Sequence, residues 1–456
     1  MHTSLPNALL SSLQNCTGFS NDNFIRVHEN PEQLTSVRIN PAKCTAAQLP
    51  FARQQAVPWC MHGFYLNDRP SFTIDPLFHA GAYYVQEASS MFLEQALRQT
   101  CSLKEKLTIL DLCAAPGGKS TLLQSLVSAE SLLVSNEVIK TRVNVLAENL
   151  TKWGAANAVV TNNDPKDFRK LAGFFDVIVV DAPCSGSGLF RKDAAAIKEW
   201  SLENVTLCSQ RQQRILSDVL PALKEGGILI YSTCSYSQEE DEAIADWLVA
   251  QQEMESVSLH TAKEWGIVTS QSSTHKACGY RFYPDQLKGE GFYMAVFRKK
   301  QAVDYTEPAV KYKLLPAGRQ EVEIVRPYVS DADAHVFIKF KDDILAFPAA
   351  QFENLQLLQS ALYIKKAGVM LGVVIRNELV PHHELAVSNI VSNKYPFTEL
   401  GKEAALDFLR KSPIESSSSR MGWSIVRYAG LPLGFIKILP NRINNYYPKE
   451  WRILNK

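Results

Sequence analysis

From about residue 105 to 235, short apolar runs alternate with longer stretches whose apolar residues recur at helical spacing. The short runs are LTILDL (107–112), SLLVSN (131–136), NAVVT (157–161), DVIVVD (176–181) and ILIYS (228–232). A strand buried on both faces reads as such a continuous run, and strands separated by amphipathic helices fold as a parallel sheet. The expected fold is therefore α/β: a Rossmann-like core with a mostly parallel sheet and helices on both faces. GFYMAVF (291–297) adds a last strand. Residues 1 to about 75 mix short apolar runs with prolines and include a strand at SVRIN (36–40), which reads as an α+β segment. RKKQAVDYTEP (298–308), charged and proline-containing, reads as a linker, with mixed α and β beyond it. ESSSSR (415–420) is a second linker or loop, and no internal repeat is visible. The expected units are 1–75, 76–300, 301–380 and 381–456.

A chain of 456 residues has room for these units. Its 46% hydrophobic and 21% charged content is ordinary for a globular protein, and a net charge of +1 points to no partner. The nine cysteines are odd in number and none forms C-x-x-C, which fits a reduced, cytoplasmic setting without a disulfide framework or zinc site. No basic leader and no run of 18 uncharged apolar residues is present, so neither a secretory signal nor a membrane span is expected.

The first chemistry-bearing stretch is DLCAAPGGKST, Asp111 to Thr121. Its end resembles a phosphate-binding loop, but that loop needs G-x-x-x-x-G-K-[ST], and the first glycine position holds Cys113. A nucleoside fits better. The strand within LTILDL ends at Asp111, small residues and paired glycines then let the backbone approach a ligand, and a helix is expected from near Ser120. The following strands lead to Glu137, Asp164 and Asp181. An acid at the second strand end can accept hydrogen bonds from a ribose diol. Three acids make a poor phosphate site and a good one for a cationic nucleoside, of which S-adenosyl-L-methionine is the type. Each acid alone could equally be a helix cap.

DAPCSGSGLFRKD and YSTCSYSQEED place Cys184 and Cys234 at the carboxyl ends of two strands on the ligand side. A lone cysteine is usually a small buried hydrophobe. Two beside a methyl-donor site have a specific use, because carbon 5 of cytosine attacks a sulfonium methyl only after a thiolate has added to carbon 6. Amino-group methyltransferases carry [DN]-P-P-[FYW] at the fourth strand; here it is DAPC. Asp181 is placed to meet the protonated ring nitrogen. A helix beginning near Ser237 would favour the thiolate with its positive end, Ser237 and Glu240 read as a capping box, and Glu239 to Glu242 read as its solvated first turn.

These three motifs closely resemble the signatures of the Sun-type RNA (cytosine-5) methyltransferases, and DPLFHAGAYYVQEASSM (75–91) resembles that family's upstream block. The resemblance covers about 30 to 300. It implies Cys234 as nucleophile and Cys184 as the residue that helps break down the adduct. It implies cofactor contacts from Cys113, Ala114, Ala115, Pro116, Gly117, Gly118 and Lys119, with Glu137, Asp164 and Asp181, and it implies no metal. Arg142 is a weaker candidate. GWSIVRYAGLPLGFIKILPNRINNYYPKEWRIL resembles the PUA-like end of bacterial RsmF-type enzymes, which modify small-subunit rRNA. Asp285 stands where a histidine is common, and 301–380 matches loosely. The first unit then reads as RNA-recognition-like. Cytosine in small-subunit rRNA is the expected substrate, tRNA the alternative, and a monomer suffices. An RNA-binding assembly factor with a vestigial site, or a protein or amino-group methyltransferase, are the competing classes.

The tail supports RNA on its own residues. From 420 to 456, Arg420, Arg427, Lys437, Arg442, Lys449, Arg452 and Lys456 face only Glu450. Trp423, Tyr428, Phe435, Tyr446, Tyr447 and Trp451 are interleaved with them, giving cations for phosphates and rings for stacking, unless the rings are core. Arg191 and Lys192 could touch the RNA backbone near the target, and Gly186 and Gly188 could give the loop room for a flipped base.

Overall fold

The structure, a computed structural model, describes residues 5–29, 34–252, 254–300, 314–414 and 421–454. Most of the 298–308 linker, the ESSSSR segment with Arg420, and Lys456 lie outside the described residues.

The central sheet is built on β1 (Thr108–Asp111), β2 (Leu132–Asn136), β3 (Ala158–Thr161), β4 (Phe175–Asp181), β5 (Leu223–Thr233) and β6 (Phe292–Lys299). The first five run parallel in the order β5-β4-β1-β2-β3, and β6 joins β5 antiparallel. Alternate residues of the same run serve opposite faces. Leu110, Ile178, Val180, Leu229 and Tyr231 enter one core layer, while Ile109, Val177, Val179, Ile228 and Ile230 enter the other. This two-sided burial is why the runs are apolar without alternation. Helix α1 (Gly118–Leu126) covers one face through Leu122 and Leu123. The helices Leu202–Val219 and Glu242–Gln252 cover the other through Ile215, Leu216, Ile244 and Leu248. α2 (Lys140–Trp153) packs Leu146 and Leu150 against Ala114, Ala115 and Val160. β1 lies between β2 and β4, so the connections diverge there and open a crevice at the carboxyl ends of the strands.

The described sheet is more mixed than its parallel centre. Val268–Gln271 and Cys278–Phe282 extend it antiparallel beyond β6, and Ile364–Ala367 pairs antiparallel with β3 at the other edge. That last strand comes from the 301–380 region, which therefore completes the core sheet. Its short sequence IKKA carries two lysines and gives no strand signal.

An antiparallel sheet in the order Arg53–Ala56, Gly63–Leu66, Thr35–Ile39, Tyr83–Val85 stands before the core, its last strand lying beyond residue 75. The two helices ahead of it pack Leu9, Leu13 and Phe24 against Phe190, Tyr236 and Tyr283 of the cysteine-bearing side. The C-terminal region holds two further sheets, His335–Phe340 through Glu378–Pro381 and Phe397–Glu399 through Arg442–Asn445. The Lys43 ammonium ties three parts of the chain together, donating to the carbonyls of Ala80 (2.9 Å), Lys152 (2.5 Å) and Val387 (2.7 Å). No helix among the described residues is long and apolar enough to cross a membrane.

Candidate active site

Asp111, at the end of β1, is wholly buried. One carboxylate oxygen accepts the Ser120 hydroxyl at 2.6 Å, while the other has no hydrogen-bond partner. The chain then turns through Cys113–Gly117 into α1, which starts at Gly118 rather than at Ser120. Gly117 has φ +114°, a conformation that favours glycine. The loop is held from outside: Ala114 N–H donates to the Asn136 carbonyl (2.8 Å), and Arg142 and Asn149 of α2 donate to the carbonyls of Ala115 (2.5 Å) and Pro116 (2.8 Å). Arg142 thus positions the loop and also faces Glu137 at 3.4 Å.

The loop borders an open cavity of about 210 Å³. Cys113, Ala114, Ala115, Pro116, Gly118, Lys119 and Asp181 line one side, and Tyr84–Glu87 with Ser90 line the other. Lys119 Nζ lies 2.7 Å from Asp181, whose other oxygen accepts the Ser232 hydroxyl at 2.7 Å. Burial opposes the Lys119 charge, but the Asp181 carboxylate more than offsets it and holds the ammonium above its ordinary value. Gly117, Glu137 and Asp164 are not among the lining residues. Glu137 is buried just past β2 and accepts the Ile139 N–H (2.9 Å). Asp164 accepts the Lys166 N–H (3.1 Å) as the cap of a short 3-10 helix.

The two cysteines meet. β4 and β5 are neighbours, Ala182 N–H donates to the Ser232 carbonyl, and Cys184 Sγ lies 3.1 Å from Cys234 Sγ. Their hydrogen bond, reinforced by burial and by negative charge on Cys234 and Glu240, pushes the Cys184 thiol well up. Glycine at 188 lets the two loops touch: its N–H donates to the Cys234 carbonyl at 2.9 Å, and a Cβ there would fall 2.3 Å from the Gly291 carbonyl oxygen. Gly188 is thus a close-approach residue and leaves no slack, whereas Gly186 (φ +76°) is a turn with open space around it.

Comparison with known proteins gives three separate matches in chain order. Residues 5–88 match the N-terminal domain of 16S rRNA methyltransferase RsmF, 98–298 match 16S rRNA methyltransferase RsmB/F, and 393–453 match the methyltransferase RsmF PUA domain. The ribosomal RNA small subunit methyltransferase F of Vibrio vulnificus is 29% identical over 99% of this chain and 98% of its own. That of Aeromonas salmonicida is 30% identical over 94% and 93%. The chain belongs to the ribosomal RNA small subunit methyltransferase F family. Among solved structures, a methyltransferase homolog protein from Pyrococcus horikoshii is 28% identical, with a TM-score of 0.52 over 65% of this chain and 100% of its own. NSun6 from the same organism shares the fold, with a TM-score of 0.54 over 65% and 99% at 18% identity.

Members of this methyltransferase F family use S-adenosylmethionine, and the crevice suits such a group. The small residues Ala114, Ala115 and Gly118 line it beside the charged Lys119 and Asp181. Outside the lining, at the root of the same loop, Asp111 keeps one buried carboxylate oxygen without a hydrogen-bond partner, and Glu137 is buried beyond β2. The wall formed by Tyr84–Glu87 and Ser90 was recognisable in sequence only as a motif next to the core, with nothing to mark it as a cavity wall. Asp111 was visible as a strand end, and its solitary burial was not.

Other expectations are corrected. The helix after Cys234 begins at Glu242, eight residues on, rather than near Ser237, so Ser237 and Glu240 form no capping box. Glu240, Asp241 and Glu242 are buried, not solvated. Arg281 accounts for two of them, forming a buried ion pair with Glu242 and lying 3.3 Å from Asp241. Arg191 is buried against the Gly289 carbonyl (3.2 Å) and Glu290 (3.6 Å), so it does not present its charge to an RNA backbone. In the tail, Phe435 and Tyr447 are core, whereas Tyr446 is exposed beside Trp423, over which Lys437 sits at 5.1 Å.

Burial pushes the Asp111 carboxyl up to about 7 from an ordinary 3.8, with the Ser120 hydrogen bond and Lys119 pulling the other way. The folded state therefore keeps a proton that the unfolded chain has lost. The contribution is full below about pH 4 and lost as pH rises through 7, on the order of 4 kcal/mol in total. Melting temperatures of wild type and Asp111→Asn should consequently diverge between pH 5 and 8, wild type falling relative to the variant. Parallel pH profiles would exclude Asp111 as the titrating group.

Proposed function

We propose that this enzyme methylates carbon 5 of a cytosine in small-subunit rRNA through a covalent adduct between Cys234 and carbon 6. The observation that carries the reading is the pair of sulfurs 3.1 Å apart, on adjacent strand ends beside Lys119 and Asp181. Attack by the Cys234 thiolate forms the S–C6 bond and moves the ring electrons so that carbon 5 becomes nucleophilic. Asp181 accepts a hydrogen bond from the protonated ring nitrogen, and Lys119 adds positive charge beside the same ring. S-adenosylmethionine, when bound, supplies an electrophilic methyl group. Loss of the carbon 5 proton to a solvent base then re-forms the ring double bond and expels Cys234 as the leaving sulfur. Cys184 keeps its own proton, for the reasons above, and donates toward the departing sulfur.

Cofactor contacts are assigned to Cys113–Lys119, Glu137, Asp164 and Asp181. Glu137, buried past β2, accepts the ribose hydroxyls. Glu137→Gln should weaken S-adenosylmethionine binding about tenfold, the worth of one lost charge-assisted hydrogen bond, and leave turnover at saturation intact. Calorimetric titration checks this, and an unchanged affinity would remove Glu137 from the site. The rRNA substrate is supported by the names of the relatives matched along nearly the whole chain and by the basic, aromatic C-terminal unit. The RNA-recognition-like 1–75 segment, the core at 76–300, the 301–380 unit and the PUA-like 381–456 unit act together in a cytoplasmic monomer.

The test is methyl transfer from labelled S-adenosylmethionine to 16S rRNA, assembled small subunits and tRNA, with digestion to nucleosides. Label in 5-methylcytosine from rRNA or subunits is the expected result. Label only in tRNA moves the substrate, and label at another atom overturns the cytosine chemistry. No label on any of the three favours an RNA-binding assembly factor.

A further inference from the structure

Glu240 takes no part in the mechanism above, yet it is fully buried six residues beyond the nucleophile. Nothing about its place is that of a helix cap. One carboxylate oxygen accepts the Ser185 backbone N–H at 2.8 Å and the Gln212 side-chain N–H at 3.1 Å. The other accepts the Ser185 hydroxyl at 2.5 Å and the Ser235 hydroxyl at 2.6 Å. Ser185 directly follows Cys184, and Ser235 directly follows Cys234. Gln212 also donates to the carbonyl of Pro183, the residue before Cys184, at 3.1 Å. The Glu240 backbone is fixed in turn, its carbonyl accepting the Tyr231 hydroxyl at 2.7 Å.

We propose that Glu240 is a positioning residue: its one carboxylate spans the Cys184 and Cys234 loops and fixes the two sulfurs in a single geometry toward one base. This rests on the covalent reading of the cysteine pair.

The physical need is plain. β4 and β5 are held together by strand pairing as far as Asp181 and Ser232, and the cysteines lie beyond that pairing. Two sulfurs that must act in succession on the same ring have to be set relative to each other, and a displacement of about 1 Å can lower a rate about 100-fold. Four donors converge on the carboxylate, and a carboxylate is the side chain able to accept that many at once. Glutamine at this position keeps size and packing but loses the charge and one acceptor oxygen. Its NH2 must then face the Ser185 and Ser235 hydroxyls as a donor, and the four charge-assisted bonds that hold both loops are weakened. The same negative charge helps to raise the Cys184 thiol.

Glu240→Gln in the full-length enzyme should lower kcat about 100-fold, with KM for RNA and S-adenosylmethionine within about twofold of wild type. In a Cys184→Ala background the same change should slow formation of the protein–RNA adduct by a similar factor. Ser185→Ala and Ser235→Ala should each lower kcat, and neither should add to the effect of Glu240→Gln, because all three remove one shared clamp. Should Glu240→Gln fail to fold, the serine variants, alone and together, carry the same comparison. Wild-type kcat in a folded Glu240→Gln, a loss in KM alone, or serine effects that add in full would overturn the proposal. Activity retained by Cys234→Ala, in contrast, would overturn the covalent reading on which it rests.

Discussion

Cys234→Ala is expected to abolish methyl transfer, by on the order of 10,000-fold or more, while S-adenosylmethionine still binds with wild-type affinity. Removing a nucleophile removes the whole covalent route, and what remains is the rate at which unactivated carbon 5 attacks a sulfonium, helped only by positioning. The change is small in volume at a half-buried position, so folding should be preserved. Labelled-methyl incorporation at saturating RNA, paired with titration of the cofactor, measures both halves of the statement. Residual activity above about one per cent of wild type would mean that sulfur addition is not on the pathway.

Cys184→Ala should behave differently although its sulfur is only 3.1 Å away. With the hydrogen-bond donor to the leaving sulfur gone, the S–C6 bond still forms and then persists. Turnover should fall about 1,000-fold, and a protein–RNA species stable to denaturant should accumulate. The double variant Cys184→Ala/Cys234→Ala should show none. A Cys184→Ala enzyme that turns over freely without a trapped species would assign the breakdown step to another group. The two single variants thus separate formation of the adduct from its release, a distinction that two adjacent cysteines could otherwise blur.

Much of this site was legible in the sequence because each of its parts is local. A strand that ends in an acid, a loop of small residues and a cysteine just past a strand all sit within a dozen residues, and the parallel sheet then brings them to one edge. The apolar runs located β1 to β6 for a similarly local reason: each is too short for a helix and rich in β-branched or aromatic residues. What escaped was long-range. Glu240 reaches Ser185 across 55 positions, and in sequence it looks like one more acid in an acidic run. Glu242 and Arg281 form a buried ion pair across 39 positions, and neither predicts the other. The cavity wall at Tyr84–Glu87 begins on the last strand of the preceding sheet and runs past its end, so no periodicity within the core could mark it. Arg191 has the composition of a surface residue, and its burial depends on Glu290, about a hundred residues on.

The strand Ile364–Ala367 has a consequence for how the protein is made. It pairs with Thr161, Val160 and Val159, and no other described strand covers that side of β3. Roughly 200 residues must be added after β3 leaves synthesis before its partner exists, which at about 5–20 residues per second is about 10–40 s. Throughout that interval the nascent sheet presents an unpaired apolar edge, the kind of template on which chains associate wrongly. Once added, the closing strand is short and exposes Lys365, while Lys366 is paired with Glu384, so the finished edge discourages further strands. Overexpression should therefore be limited by elongation speed and chain crowding, and stopping the chain before residue 364 should give insoluble product even though every catalytic residue has been made.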